Sequence, residues 1–243
     1  MSPADPELFR ERLPRVDFQL GGLAGDEDDL VFALGGSLNV LVPLAEHHDG
    51  PHSYYVLFDR SATWGHPWTP RVHALHLQRD VHARKFGFAH APMPLAAIAQ
   101  SWLIHRGCPP DAIGLDPELG PPAADETTRA LERRLAGEGN HLAVVDSCTL
   151  DSPDDMVVVV ALRALDDRAP HPFRVVVEEV DTATWTYTLR EGGFATEGEA
   201  RQWCDDRLRG DAGPLPPVRR PTPASSPAGV AKASAARPPG RSR

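Results

Sequence analysis

The residues with the greatest capacity for chemistry lie close together in the segment 64–90. This segment holds five of the eleven histidines of the chain, two of its five tryptophans and four basic residues. Asp80 is its single acidic residue. The composition therefore predicts a local positive charge, together with imidazole nitrogens that could serve a metal ion or an anion.

An anion is the first ligand that these side chains suit. The guanidinium group of arginine offers a planar set of donors that matches a carboxylate or a phosphate. The tryptophans could add an aromatic platform for a ligand, or could fasten this loop to the core. We predict that a site for an acidic protein partner or an anionic ligand is formed by Arg71, Arg79, Arg84, Lys85, Trp64 and Trp68. The alternative is that the basic side chains pair with carboxylates of the same chain.

A metal ion is the second ligand to consider. On a helix, His73, His76 and Asp80 would lie on one side and could bind zinc or manganese. The spacing lacks the neighbouring glutamate of the H-E-x-x-H motif, and a solvated helix face has the same composition. In a strand, His73 and His76 would point to opposite faces of the sheet. A metal-dependent hydrolase of phosphoesters or glycosides is therefore the alternative function, and it depends on a helix.

No catalytic or cofactor motif accompanies this segment. The chain has no glycine-rich dinucleotide or nucleotide loop and no G-x-S-x-G motif. Cys108, Cys148 and Cys204 are at least 40 residues apart, which argues against a disulfide framework and a thiolate zinc site. We therefore predict no catalytic residues and no cofactor, and favour a non-catalytic binding or regulatory protein.

The distribution of charge limits the partners. The net charge of the chain is −9, and the segment 211–243 carries +5, so residues 1–210 carry −14. Such an acidic body repels polyphosphate, which disfavours broad nucleic-acid binding. The chain has no apolar run of about 18 residues and begins without a secretory signal pattern, so we expect a cytoplasmic protein without a membrane span. The oligomeric state does not follow from the sequence.

The elements that must position segment 64–90 belong to a β-rich α+β half, residues 16–107, which follows a flexible arm, residues 1–15. Alternating or continuous apolar runs predict strands at 16–20, 30–34, 38–42 and 54–58. The glycines at 35 and 36 predict a tight hairpin between two of these strands. Residues 70–85 form either a helix, with Thr69 as its cap, or a fifth strand. A helix is predicted over 94–107.

A proline- and glycine-rich connector, residues 108–123, leads to a second half, residues 124–210. Its pattern predicts a helix over 125–136 and a final helix that begins with a capping box at Thr196 and Glu199. Between these helices lie four predicted strands, at 141–148, 156–165, 173–180 and 184–190. Residues 211–243 form a basic tail rich in proline, alanine and arginine, which is predicted to be disordered.

Together these elements predict an α+β fold with antiparallel sheets of about eight strands, three or four helices and a disordered C-terminal tail. The strands could form one large sheet or two. The order of elements is similar in the two halves, but no residue-level repeat is visible. Because such a similarity of pattern arises easily by chance, an internal duplication is not favoured on the sequence alone.

Overall fold

The computed structural model describes residues 16–25, 27–35, 38–61, 68–138, 141–152, 155–166, 169 and 171–218. The predicted flexible arm, the part of the predicted disordered tail after Val218, and Trp64 lie outside the described residues.

Each half of the chain contains a four-stranded antiparallel sheet flanked by two helices. The first half contains α1 (Glu27–Ala33), β1 (Leu41–Asp49), β2 (His52–Asp59), β3 (Val72–Asp80), β4 (Lys85–Met93) and α2 (Ala96–Ile104). The second half contains α3 (Glu126–Glu138), β5 (Leu142–Ser152), β6 (Asp155–Ala164), β7 (Phe173–Asp181), β8 (Thr186–Phe194) and α4 (Glu197–Arg209). In each sheet the strands are neighbours in chain order. The predicted α+β fold with eight antiparallel strands is confirmed, as two sheets; we call β1 to β4 sheet 1 and β5 to β8 sheet 2.

The helices cover both faces of each sheet. Helix α1 packs on one face of sheet 1 through Leu30 and Leu34. Helix α2 covers the opposite face through Ala99 and Leu103. Helix α4 covers the outer face of sheet 2 and contributes the buried Ala200.

The two halves share an apolar layer between the sheets. Leu95 and Ile98, at the start of α2, pack against Leu131 and Leu135 of α3 and against the inner face of sheet 2. The order of layers is therefore α1, sheet 1, the pair of α2 and α3, sheet 2, and α4.

The two halves are repeats in the structure. The first strand of each sheet has a register shift, between Pro43 and Ala45 in β1 and between Val144 and Asp146 in β5. Arg84 and Trp185 both have a φ of 52° in the turn that precedes the last strand of each sheet. Val144 lies 101 residues after Pro43, and Trp185 lies 101 residues after Arg84. The similarity of the halves, which the sequence pattern could not separate from chance, is thus matched by their detailed geometry.

The start of the first half differs from its prediction. Residues 30–34 were expected to form a strand, but Glu27–Ala33 is helical. Three acids occupy the first turn of α1, where they are stabilised by the partial positive charge of a helix N-terminus. Leu30 and Leu34 are one turn apart and both are fully buried. The strand prediction is wrong because a short continuous apolar run fits a strand and a buried helix turn equally well, and here the acids before Leu30 favour the helix.

The predicted hairpin is also wrong, because the residues before Gly35 are helical and do not form its first strand; Gly36 lies outside the described residues. Gly35 has a φ of 89° and lies just beyond α1, where a left-handed residue commonly ends a helix. Residues 16–20 do not form a strand, and Leu38–Val40 is a short 3-10 helix before β1. The glycine at 35 therefore ends a helix instead of joining two strands.

Residues 72–80 form a strand, so the helical alternative for the segment 70–85 is wrong. The strand β3 pairs with β2 on one side and with β4 on the other. A central strand is supported by two ladders of backbone hydrogen bonds, and these outweigh the favourable start that Thr69 and Pro70 offer to a helix.

The second half follows its prediction closely. The helices over 125–136 and after Thr196, and the four strands between them, are confirmed to within a few residues. The capping box is present: the Thr196 side chain accepts a bond from the Glu199 N–H, and the Glu199 side chain accepts one from the Thr196 N–H. Within the described residues, no helix is long and apolar enough to cross a membrane.

Candidate functional site

The described part of the segment 64–90 forms β3, a four-residue turn and β4. Trp68 lies just before β3 and is 58% exposed. The start of β3 pairs with the end of β4, Val72 with Met93. Trp68 is therefore close in sequence to the end of the hairpin at which Val72 pairs with Met93. Arg84 and Lys85 lie at the opposite end, at the turn. The structure separates the predicted anion-site residues along the hairpin.

Arg84 and Lys85 lie at the exposed tip of the hairpin. The turn is held by Asp80, whose Oδ1 accepts a hydrogen bond of 2.8 Å from the Ala83 N–H. Arg84 adopts a left-handed backbone, and its Nη2 donates a long bond of 3.5 Å to the carbonyl of Gly22. Neither Arg84 nor Lys85 forms an ion pair with any described residue. Their positive charge is therefore directed to solvent.

Arg79 points inward on the α1 face of sheet 1. Its Nη1 donates to Ser53 Oγ at 2.7 Å, and its Nη2 donates to the carbonyl of Phe18 at 2.6 Å. Ser53 is fully buried. These neutral acceptors fasten the segment before α1 to the sheet, so the guanidinium of Arg79 has a structural role in addition to its charge.

Arg71 lies near the layer between the two halves. Its guanidinium stacks on the Phe58 ring, 4.5 Å from the centroid. Burial and the charge of Glu132 raise the pKa of Glu178 to about 7, and the charge of Arg71 partly opposes that shift. Arg71 is thus electrostatically linked to sheet 2, away from the hairpin tip.

The histidines proposed for a metal ion do not converge. Because β3 is a strand, His73 and His76 point to opposite faces of sheet 1. Asp80 lies at the start of the turn and accepts the backbone bond described above. Among the residues that the structure describes, no group of three or more potential metal ligands is close enough to hold an ion. The helical premise of the zinc or manganese hypothesis is therefore wrong.

Each histidine of β3 instead pairs with a second histidine. His73 Nδ1 lies 2.8 Å from His90 Nε2, and His76 Nε2 lies 2.9 Å from His52 Nδ1. In such a hydrogen bond one imidazole donates and the other accepts, so at least one ring of each pair is neutral. The two pairs lie on opposite faces of the same sheet.

Burial favours the neutral form of these rings. His73 is 7% exposed, and burial lowers its pKa, although the charge of Asp59 acts in the opposite direction. Burial and the neighbouring His73 lower the pKa of His90 to about 4. Burial, His52 and Arg106 lower the pKa of His76. His73, His76 and His90 therefore contribute little positive charge near neutral pH.

His52 and Tyr54, which both contact His76, were not identified from the sequence as candidate site residues. The Tyr54 ring stacks on His76, with centroids 4.6 Å apart and planes 5° apart, and His47 stacks on its other side. His52 and His76 are 24 residues apart, and they meet because β2 and β3 are paired. The register of the sheet was the missing signal.

Thiol chemistry has little support. Cys108 and Cys148 are buried and Cys204 is half-buried. Burial raises the pKa of the Cys108 thiol to about 11 and that of Cys204 to about 12. A thiol with so high a pKa supplies very little nucleophilic thiolate near neutral pH.

The second half neutralises most of its own arginines. Eight arginines there form ion pairs with carboxylates of the same half: Arg129, Arg133, Arg134, Arg174, Arg190, Arg201, Arg207 and Arg209. In the first half, Arg60 donates to backbone carbonyls, and Arg106 stacks on Trp102 at 3.3 Å. Arg84 and Lys85, by contrast, are exposed cations that form no ion pair with a described residue.

No protein-family model, curated protein or solved structure matches the chain at a significant level.

Proposed function

We propose that the protein is a non-catalytic, cytoplasmic binding or regulatory protein that engages an acidic protein partner or an anionic ligand through the segment 64–90. The observation that carries the proposal is the contrast between the hairpin tip and the second half. Arg84 and Lys85 are exposed and form no ion pair with a described residue, whereas eight arginines of the second half pair internally.

The shape of the tip favours a protein partner over a small anion. Arg84, in the turn, and Lys85, the first residue of β4, are both exposed at the surface, and small-molecule sites are usually concave. Opposite charges on two protein surfaces speed association and select partners, even where each exposed pair contributes little affinity. Trp68, exposed near the other end of the hairpin, adds an apolar contact of the kind that is common at interfaces.

The test reverses the charge at the tip without changing the fold. Arg84→Asp combined with Lys85→Glu is suitable because Asp tolerates the left-handed backbone of residue 84. The probe is a fluorescein-labelled poly-L-glutamate peptide, and its binding is followed by anisotropy at low and high salt. We expect the parent protein to bind in a salt-sensitive manner and the variant to bind about threefold or more weakly.

Arg133→Glu combined with Arg209→Glu is the matched control. This pair makes the same change of net charge on exposed arginines of the second half. The control should bind the peptide nearly as well as the parent protein. Equal loss of binding in both double variants would mean that net charge alone acts, and unchanged binding in the tip variant would exclude the hairpin as the site.

A further inference from the structure

The outer edge of β4 presents backbone groups that the described chain does not use. In the ladder between β3 and β4, the odd-numbered residues of β4 bond to β3, so the even-numbered residues point outward. Phe86 uses its outward N–H to bond the carbonyl of Ala24 at 3.0 Å. The outward N–H groups of Phe88 and His90 have no acceptor among the residues that the structure describes. Pro92 has no N–H to offer.

The repeated half shows how this architecture uses the same edge. In β8 the outward residues are odd-numbered, and Tyr187 N–H bonds the carbonyl of Pro122 at 3.0 Å. Leu189 N–H bonds Thr128 Oγ1 of α3 at 3.2 Å. Gly193 N–H bonds the carbonyl of Pro216 at 3.0 Å. Three of the four outward amides of β8 are therefore satisfied by the protein itself.

The segment around Pro216, which bonds Gly193 at the far end of β8, is extended and packs closely against that strand. A Cβ atom placed on Gly192 would lie 2.7 Å from Leu215 Cδ2 and 3.3 Å from Pro216 Cδ, so this segment packs closely against the strand. The equivalent positions of β4 are Ala91 and Pro92, and the chain after α2 runs instead to β1, where Asp116 N–H bonds the carbonyl of Leu44. No described segment takes the corresponding place on β4.

We infer that the outer edge of β4 from residue 87 to residue 91, beyond the part that Ala24 already pairs with, receives an extended acidic segment of a partner protein as an additional strand. This inference rests on the proposed function and specifies how its partner binds. Backbone hydrogen bonds to Phe88 and His90 would supply affinity, as in other cases of strand addition to a sheet edge. Every second side chain of the added segment would lie on the same face of the sheet as the half-buried ring of Phe88. Apolar residues therefore suit those positions of the segment.

Charge selects the acidic character of the added segment. Lys85 is three residues before Phe88, about 10 Å along the strand, and Arg84 precedes it. Neither forms an ion pair within the described chain. Carboxylates near that end of the added segment would meet both cations. The basic residues of the chain's own tail would instead be repelled there, and two copies of a chain with a net charge of −9 repel each other.

The experiment separates backbone pairing from charge. The probe is a labelled peptide that alternates valine and glutamate, and two further versions carry N-methyl groups on every second amide, one in each register. A strand that adds to an edge turns alternate amides toward it, so methylation in one register removes those bonds. We expect one methylated peptide to bind about tenfold or more weakly than the parent peptide. Hydrogen exchange at the amides of Phe88 and His90 should slow when the parent peptide binds.

The outcomes distinguish the two proposals. If Arg84→Asp with Lys85→Glu weakens binding but neither methylated peptide differs from the parent peptide, strand addition is overturned and the acidic-partner function stands. If the alternating peptide does not bind but poly-L-glutamate does, strand addition is overturned and the proposed function stands. If poly-L-glutamate binds the charge-reversed variant as well as it binds the parent protein, the proposed function is overturned. Slow exchange of the same two amides in a concentration-dependent dimer without peptide would assign the edge to a second copy and overturn the inference.

Discussion

At the scale of single residues, identical side chains in the segment 64–90 have different tasks. Arg84 is exposed at the tip of the hairpin, whereas Arg79 donates to the buried Ser53 hydroxyl and to a carbonyl. The sequence around the two arginines does not separate their roles. Arg79 is followed by Asp80 and Arg84 by Lys85, and both lie in polar stretches, so only the structure shows which one faces solvent.

The substitution Arg79→Met tests the structural role of this arginine. Methionine keeps part of the apolar stem but leaves the Phe18 carbonyl without its donor, and removes the Arg79 donor from Ser53 Oγ, which keeps its bond of 2.6 Å to His48 Nδ1. We expect the free energy of unfolding to fall by about 1–3 kcal/mol in a urea titration. Arg84→Asn, at the exposed tip, should change it by no more than about 0.5 kcal/mol. Equal stability of Arg79→Met and the parent protein would contradict the contacts described for Arg79.

The pair of His73 and His90 should make the first half sensitive to acid. The pKa of His90 is about 4 in the folded protein, below the ordinary value of 6.5, so the unfolded chain binds more protons between these values. Stability is therefore fully present above about pH 6.5 and is lost as the pH falls toward 4, by at most about 3 kcal/mol. Urea titrations at about pH 7 and about pH 5 measure this loss. His90→Phe should reduce the dependence on pH, whereas His82→Gln in the exposed turn should not.

At the scale of the elements, short polar signals were as informative as apolar patterns. The capping box at Thr196 and Glu199 correctly placed the start of α4. The acids before Leu30 mark the start of α1 in the same way, but the glycines that follow suggested a hairpin. One glycine can end a helix or form a turn between strands, and the choice depends on what the preceding residues pack against.

The cap of α4 can be tested directly. Thr196 Oγ1 accepts the Glu199 N–H at 3.2 Å, and this amide has no partner within the first turn of the helix if the hydroxyl is removed. Thr196→Ala should lower the free energy of unfolding by about 1 kcal/mol, and Thr196→Ser should restore most of it. Chemical denaturation of the three proteins gives the comparison. A serine variant as unstable as the alanine variant would show that the hydroxyl is not the cause.

At the scale of the whole molecule, the layer between the sheets joins the two halves. It combines apolar side chains of α2 and α3 with the half-buried Glu178 on β7. Glu178 lies opposite Leu189 in the ladder between β7 and β8, on the inner face of sheet 2. Burial and the charge of Glu132 oppose its ionisation, so the central layer contains a carboxyl group that is costly to charge.

Glu178 should therefore weaken the protein as the pH rises. Its pKa is about 7 in the folded protein against 4.5 as the ordinary value, so stability is full below about pH 4.5 and is lost as the pH rises through 7. The loss is at most about 3 kcal/mol. Glu178→Gln removes the charge, and its stability relative to the parent protein should increase between about pH 5 and about pH 8 in urea titrations.

Glu179→Gln is the matched control for that experiment. Glu179 is the next residue of β7, points to the other face and pairs with Arg207 of α4. Removal of its charge should destabilise the protein slightly or leave it unchanged at the higher pH. If Glu178→Gln and Glu179→Gln had the same dependence on pH, the central layer could not be the cause.

The sequence by itself determined the α+β class, all four strands of sheet 2, and helices α2 to α4, because these elements carry local signals of period, caps and stops. It also determined the excess of positive charge at 64–90, which is a matter of composition. The tertiary structure decided that residues 72–80 form a strand, that residues 27–33 form a helix and that the halves are repeats. It also decided which histidines meet and which arginines face solvent. These properties depend on pairing between segments distant in the chain, and strand register and burial are set by those partners rather than by neighbouring residues.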